Sequence, residues 1–96
     1  MSCMVTRQIR VSGRVQGVGY RAALQAQARR AGVAGWVRNR ADGSVEALVH
    51  GPADAVEAVI AWARRGPPGS LVADVQITPA DARELPQARF ELRPTA

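Results

Sequence analysis

The amino-acid sequence predicts an α+β fold in which an antiparallel sheet carries two helices on one face. The first observation is a two-residue alternation of apolar and polar side chains in several short segments, which is typical of half-buried strands. The second is a spacing of three and four residues between apolar side chains in two longer segments, which is typical of amphipathic helices. Glycine and proline lie between these segments, so each segment is predicted to form a separate element.

The first third of the chain predicts a strand, a glycine turn and a helix. Apolar residues or glycine occupy alternate positions from Val5 to Val15, with Arg7 as the exception, which indicates the first strand. Gly17 and Gly19 then form a turn. An alanine-rich run of strong helix formers predicts the first helix over Tyr20–Ala31.

The middle of the chain predicts two strands joined by a hairpin. The second strand is expected over Val33–Arg40, with Trp36 as a large core residue. Asp42 and Gly43 form a dipeptide that is typical of a tight hairpin turn. The third strand is expected over Ser44–His50, with Val45, Ala47 and Val49 on one face and Glu46, Leu48 and His50 on the other.

The last third predicts one helix and two strands. Apolar residues at the i, i+3, i+4 and i+7 positions from Val56 indicate the second helix, and Gly66 ends it. The three elements are a helix with Pro52 in its first turn and Arg65 at its end, a strand over Leu71–Thr78 and, after a polar connection at Pro79–Gln87, a short edge strand over Ala88–Arg93. The resulting order is β-α-β-β-α-β with a short extra C-terminal strand, which is the ferredoxin-like sandwich.

Length and composition predict one domain spanning residues 1–96. The chain is 47% apolar, enough for a single core, and its single cysteine cannot form an internal disulfide. Because we find neither an apolar leader nor a run of membrane-spanning length, we expect a cytoplasmic protein without membrane contact. Thirteen arginines and no lysine give a net charge of +5, which favours anionic partners.

Two common functions of this fold are disfavoured by residues that the sequence lacks. RNA-binding versions stack bases on aromatic residues of the two central strands. The central strands here, about Thr6–Val15 and Ser44–His50, contain no aromatic residue. Versions that carry metal need paired cysteines in the first loop, which has none.

The segment from Ser12 to Arg21 predicts an oxyanion site. It contains three glycines, two arginines and no carboxylate, between a strand and a helix. Glycines allow successive backbone N–H groups to point to one place, and the helix N-terminus adds partial positive charge. Arg21 offers a planar fork for two phosphate oxygens. Taken alone, however, Arg21 could be a solvated helix residue, and Asn39 could be a turn residue before the hairpin.

Two blocks of the sequence resemble the signatures of acylphosphatases, the small enzymes that hydrolyse acyl phosphates to carboxylate and phosphate. The first is Val11–Arg21 and the second is Gly35–Glu46. Their spacing also fits, and the run Trp62–Pro68 is similar to the family as well. The resemblance therefore extends over about the whole chain.

The resemblance implies a set of site residues. It implies a phosphate cradle from the backbone of Arg14, Val15, Gln16, Gly17, Val18, Gly19 and Tyr20. It further implies that Arg21 is a catalytic arginine that binds phosphate, and that Asn39 is a catalytic asparagine that holds the attacking water. A monomer that needs no cofactor and no metal is implied too. Two departures are Tyr20, where phenylalanine is usual, and Arg40, whose charge beside Asn39 is expected to tune substrate preference.

The chemistry needs few residues. A carboxylate leaves readily, because its conjugate acid has a pKa of about 4, so no general acid is required. Phosphoryl transfer depends mostly on positioning and charge stabilisation. Because neither block contains a convincing base, we expect in-line attack by water without a covalent intermediate, with the substrate's phosphoryl oxygen accepting the proton.

Two other functions stay open. One is a non-catalytic module that senses an oxyanion or carbamoyl phosphate, similar to the acylphosphatase-like portion of larger carbamoyl-transferring maturation proteins. The free-standing length and Asn39 argue against it. The other is nucleic-acid binding, which the dispersed arginines make the weakest candidate.

Overall fold

The computed structural model describes residues 3–81 and 89–96. Its elements are β1 (Met4–Arg14), α1 (Tyr20–Ala31), β2 (Ala34–Asn39), β3 (Val45–Pro52), α2 (Ala53–Arg65), β4 (Leu71–Pro79) and β5 (Phe90–Leu92). The predicted order of elements is confirmed. Ala88 and positions 82–87 of the predicted polar connection lie outside the described residues.

The five strands form one sheet in the order β4-β1-β3-β2-β5. Strands β1 to β4 pair antiparallel with their neighbours, as predicted. The prediction of a purely antiparallel sheet was wrong at its edge, because β5 pairs parallel with β2. The physical reason is that β5 occupies the free edge of β2 and runs in the same direction as β2, whereas β4 runs opposite to β2 on the other edge of the sheet.

Helices α1 and α2 cover one face of the sheet and enclose the core. Ile9 of β1, Val49 of β3 and Leu24 of α1 are fully buried there. Burial of each such side chain contributes about 2 kcal/mol to stability. Tyr20, the first residue of α1, is also buried, which fixes the start of this helix against the core.

The opposite, helix-free face carries a tryptophan that the sequence interpretation assigned to the core. Along β2, Val37 and Asn39 face the helices, so the alternating Trp36 and Arg38 face away from them. Trp36 is 8% exposed because the guanidinium groups of Arg38 and Arg93 lie 4.8 and 5.0 Å from its ring centre. Trp36 is thus buried, as predicted, but it lies outside the cluster beneath the helices, because arginines rather than helices cover its ring.

Candidate active site

The loop between β1 and α1 leaves the N-terminus of α1 accessible. Gly17 and Gly19 have left-handed backbone angles, with φ of 74° and 78°, which favour glycine. Gly19 is the N-terminal cap of α1, but no side chain caps the helix and its first turn contains no acidic residue. The first-turn N–H groups, and the partial positive charge that they carry, are therefore open to an anion.

A small pocket of about 180 Å³ lies at this helix N-terminus. It is lined by Val15, Gln16, Gly17, Gly19, Tyr20, Arg21, Ala22, Asn39 and Leu92. None of these residues has a carboxylate, so the pocket is suited to an anion. Its volume is below the usual range of sites for drug-sized ligands, about 300–1,000 Å³.

Arg21 brings the positive charge of a side chain to the pocket. It lies on the first turn of α1, and its Nη1 donates a 3.2 Å hydrogen bond to the backbone carbonyl of Arg93. Among the described residues it has no carboxylate partner. A guanidinium has five N–H donors, so this single contact orients the group and leaves donors for a ligand.

Asn39 contributes a buried polar atom that has no partner. The residue ends β2, and its backbone carbonyl accepts a 3.0 Å hydrogen bond from the N–H of Ala96. Within residues 3–81 and 89–96, its side-chain Oδ1 is buried and accepts no hydrogen bond. Leaving such an acceptor unpaired costs about 1–3 kcal/mol, so a bound donor would relieve a real penalty.

The hydroxyl of Tyr20 forms its hydrogen bond outside the pocket. It donates a 2.7 Å hydrogen bond to the carbonyl of Ala63, in the last turn of α2. That carbonyl needs a donor because Pro67, four residues later, has no N–H. The ring packs on Trp62 with 5.6 Å between centres, and burial raises the pKa of Tyr20. The phenol therefore stays neutral, and its hydroxyl caps α2.

Arg40, the second departure from the family signature, points to the other side of the sheet. Its Nη1 lies 3.4 Å from the Oε1 of Glu46 on the helix-free face. Asn39 and Arg40 are neighbours in the chain, but alternation sends their side chains in opposite directions. The contact with Glu46 gives no support to the expectation that Arg40 tunes substrate preference.

The structure brings seven of the nine predicted site residues into one pocket. Arg14 and Val18 are not among the described residues that line it. Arg14 instead ends β1 opposite Leu71 of β4, and Val18 packs against the core. Sequence reasoning missed Ala22 and Leu92. Leu92 reaches the pocket because β5 lies beside β2, and local alternation carries no signal of that pairing.

The described residues contain neither a membrane-spanning helix nor a cluster of metal ligands. Neither helix is long and apolar enough to cross a bilayer. Within the same ranges, no three His, Cys, Asp or Glu side chains lie close enough together to hold a metal ion.

Comparisons with known proteins agree on one family. Residues 7–92 match the family model described as Acylphosphatase. An acylphosphatase from Azoarcus sp. (strain BH72) is 53% identical over 94 residues, which cover 98% of this chain and 94% of the relative. The crystal structure of acylphosphatase from Bacillus subtilis is 38% identical with a TM-score of 0.86, and the match covers 95% of this chain and 99% of that chain.

A much larger protein contains a similar unit. The crystal structure of full-length HypF in its phosphate- and nucleotide-bound form matches with a TM-score of 0.86 at 26% identity. The match covers 99% of this chain but 12% of HypF. The same architecture therefore also occurs as a small part of another protein.

The matches concern the chain as a whole rather than a short motif. The family model spans most of the 96 residues, and the match to the Azoarcus relative is nearly end to end. The Bacillus subtilis structure confirms the ferredoxin-like arrangement. The chain therefore belongs to the acylphosphatase family, the hydrolases of acyl phosphates.

Proposed function

We propose that this chain hydrolyses the carboxyl–phosphate bond of acyl phosphates by direct, in-line attack of a water that Asn39 holds. The unpartnered Oδ1 of Asn39 carries this proposal. A buried acceptor at the edge of an anion pocket can receive a hydrogen bond from water and orient its lone pair towards phosphorus. An amide does this without the negative charge that would repel a phosphate.

The cradle and Arg21 supply charge stabilisation. Backbone N–H groups of the 14–20 segment, together with the N-terminus of α1, would bind the phosphoryl oxygens. The guanidinium of Arg21, held by the Arg93 carbonyl, would contact the equatorial oxygens as charge builds up in the transition state. In this mechanism no residue forms a covalent intermediate.

The remaining proton transfers need no side chain. The leaving carboxylate departs without protonation, because the pKa of its conjugate acid, about 4, lies well below neutral pH. The attacking water gives its proton to a phosphoryl oxygen of the substrate. We therefore expect turnover that does not depend on a protein group titrating near neutral pH, and that is unchanged by a chelator.

The variant Asn39→Ala tests the mechanism most directly. With benzoyl phosphate as substrate, we expect kcat to fall about 100-fold, the effect of removing one oriented contact to the reacting groups. Inhibition by inorganic phosphate should keep its wild-type constant, because the cradle and Arg21 remain. Arg40→Ala, which changes the next residue on the opposite face, is the matched control and should keep wild-type kcat. Wild-type turnover by Asn39→Ala would overturn the mechanism.

A non-catalytic sensing module is the second candidate function. The match to a small part of HypF, whose structure contains bound phosphate, favours this alternative. Under it the chain would bind inorganic phosphate tightly but would not accelerate hydrolysis of benzoyl phosphate above buffer. The same assay therefore separates the two functions.

The cellular setting is part of the proposal. We propose a single domain over residues 1–96 that acts in the cytoplasm as a monomer, with a small acyl phosphate as substrate and inorganic phosphate as product. It would need neither cofactor nor nucleic acid. Sedimentation equilibrium tests the monomer, and cell fractionation tests the compartment. RNA binding that weakens with salt and survives loss of Arg21 would argue for a nucleic-acid role.

A further inference from the structure

The side chain of Gln16 leaves the phosphate loop and reaches the hairpin between β2 and β3. Its Nε2 donates hydrogen bonds to the backbone carbonyls of Arg40, at 2.8 Å, and of Ser44, at 2.9 Å. Both N–H groups of the amide are thereby used. The opposite amide orientation would aim an acceptor oxygen at two carbonyl oxygens, so these contacts determine which way the amide points.

The hairpin that receives these bonds is well braced. The N–H of Arg40 donates to the Ser44 carbonyl at 2.8 Å, and the N–H of Gly43 donates to the Arg40 carbonyl at 3.1 Å. Asp42 accepts hydrogen bonds from both the N–H and the hydroxyl of Ser44, at 2.9 and 2.6 Å. Because these hydrogen bonds make the turn rigid, we expect a displacement of the turn to move Asn39, the residue directly before it, as well.

Gln16 thus joins the two halves of the site. Its backbone belongs to the phosphate loop, and its side chain holds the hairpin that begins after Asn39. The two carbonyls that it contacts lie 24 and 28 residues further along the chain. The distance between a phosphate in the loop and the amide of Asn39 depends on this connection.

We propose that Gln16 is a positioning residue, whose side chain sets the place of Asn39 relative to the bound phosphate. The inference rests on the proposed role of Asn39 in holding the attacking water. A misplacement of about 1 Å between reacting groups can cost about 100-fold in rate, so a side-chain bridge between them bears directly on turnover. Gln16 itself does not contact the reacting atoms through its side chain, because that amide faces the hairpin.

The variant Gln16→Met tests this role. Methionine has a similar length but no donor, and each hairpin carbonyl keeps the backbone hydrogen bond described above, so the turn still forms. We expect kcat for benzoyl phosphate to fall about tenfold, with the inhibition constant of inorganic phosphate unchanged. Gln25→Met is the matched control: it also removes a glutamine bond to a backbone carbonyl, that of Phe90, but at β5, and should keep wild-type kcat.

Combination with Asn39→Ala distinguishes positioning from a general structural effect. If Gln16 acts through Asn39, Gln16→Met should lower kcat about tenfold in the wild-type background and hardly at all in the Asn39→Ala background. The same tenfold loss in both backgrounds would overturn the proposal. So would a weaker affinity for phosphate, since Gln16 would then serve the cradle.

Two further measurements keep the result decisive. If Gln16→Met does not fold, Gln16→Asn, which retains the amide on a shorter stem, is measured in the same two backgrounds with the same criterion. The Asn39→Ala single variant judges the proposed function separately. If Asn39→Ala loses turnover but the losses in the double variant are additive, the proposed role of Gln16 is rejected and the proposed role of Asn39 is kept.

Discussion

The polar groups on the two faces of the β2–β3 strand pair differ in how completely they are hydrogen-bonded and ion-paired. On the helix-facing side, the pocket contains Asn39 with an unpartnered Oδ1 and Arg21 with a carbonyl as its described partner. On the helix-free side lies a second group, the Glu46 cluster, which consists of Glu46 with Gln8, Arg10, Arg38 and Arg40. Arg38, Asn39 and Arg40 are consecutive, so strand alternation alone separates the two groups.

In the Glu46 cluster, hydrogen bonds and ion pairs satisfy the buried carboxylate. Glu46 is 4% exposed and accepts hydrogen bonds from Gln8 at 2.5 Å and from Arg38 at 2.8 Å. Arg40 and Arg10 lie 3.4 and 3.5 Å away. Burial by itself raises the pKa of Glu46, but the hydrogen bond and charge of Arg38, then Gln8 and Arg40, outweigh it and hold the pKa below its ordinary value.

This comparison distinguishes charges that are paired within the fold from groups that are proposed to bind substrate and water. A folded chain normally pairs the polar groups that it buries, and departures from that rule concentrate at sites of function. Each arginine of the Glu46 cluster has a carboxylate partner within the fold. The pocket has an arginine and a buried acceptor whose partners are incomplete within the described residues, which agrees with their proposed roles in binding phosphate and water.

The largest expected difference in kcat/KM is between a variant of Arg21 and the same variant of Arg38. Arg21→Lys keeps the charge but removes the planar fork, and we expect kcat/KM for benzoyl phosphate to fall about 1,000-fold, with phosphate inhibition weakened as well. Arg38→Lys makes the same change on the helix-free face and should leave kcat/KM unchanged. Steady-state kinetics on both variants, after circular dichroism has shown that they are folded, make the comparison. Equal losses in the two variants would contradict the division between the faces.

The sequence predicts the helix-facing pocket better than it predicts the Glu46 cluster. Element order, the hairpin and the candidates Arg21 and Asn39 follow from local patterns and from two signature blocks. The face of Trp36 could also have been predicted, because it is one position from Val37 in an alternating strand. Its large apolar side chain correctly indicated burial, but the arginines that cover it come from β2 and from beyond β5, a contact that local alternation does not show.

Contacts between distant segments could not be predicted from local patterns. The parallel pairing of β5 with β2 joins two strands that lie more than 50 residues apart in the sequence, as the pair Gly35 and Phe90 shows. The side-chain bonds of Gln16 and Tyr20 reach residues 24 to 43 positions away, so they depend on the finished fold. Glu46 has the alternation of an ordinary exposed strand residue, and its burial becomes apparent when β1 and β2 are placed on either side of β3.

A smaller effect is expected at Glu46, and it should appear in stability rather than in turnover. Glu46→Gln removes the charge that three arginines share. Because those arginines are 27–37% exposed and can be solvated, we expect a loss of about 2 kcal/mol in the free energy of unfolding, less than for a fully enclosed pair. Urea unfolding at neutral pH measures this, with kcat as the second readout. A large loss of kcat with unchanged stability would reverse the assignment of the two faces.

The same carboxylate predicts a dependence on acid. The pKa of Glu46 is lower in the folded protein than its ordinary value of 4.5, so the folded state binds a proton less readily than the unfolded state. Its contribution to stability is complete above pH 4.5 and is lost as the pH falls through the lower folded value. Glu46→Gln should therefore flatten the decline of unfolding free energy below pH 4.5, and parallel declines in both proteins would contradict this.

The smallest expected effect on stability is at Tyr20. This residue lines the pocket, but the hydrogen bond of its hydroxyl group lies within the fold. Its hydroxyl is satisfied by the Ala63 carbonyl rather than by a ligand. Tyr20→Phe leaves that carbonyl without its donor, so we expect a loss of about 1 kcal/mol in stability and a fall in Tm of about 4–8 °C. Because the ring stays on Trp62 and the loop is unchanged, kcat and phosphate inhibition should match wild type. Residence in the pocket would then not suffice to make a side chain functional, and an incomplete set of partners would be the better criterion.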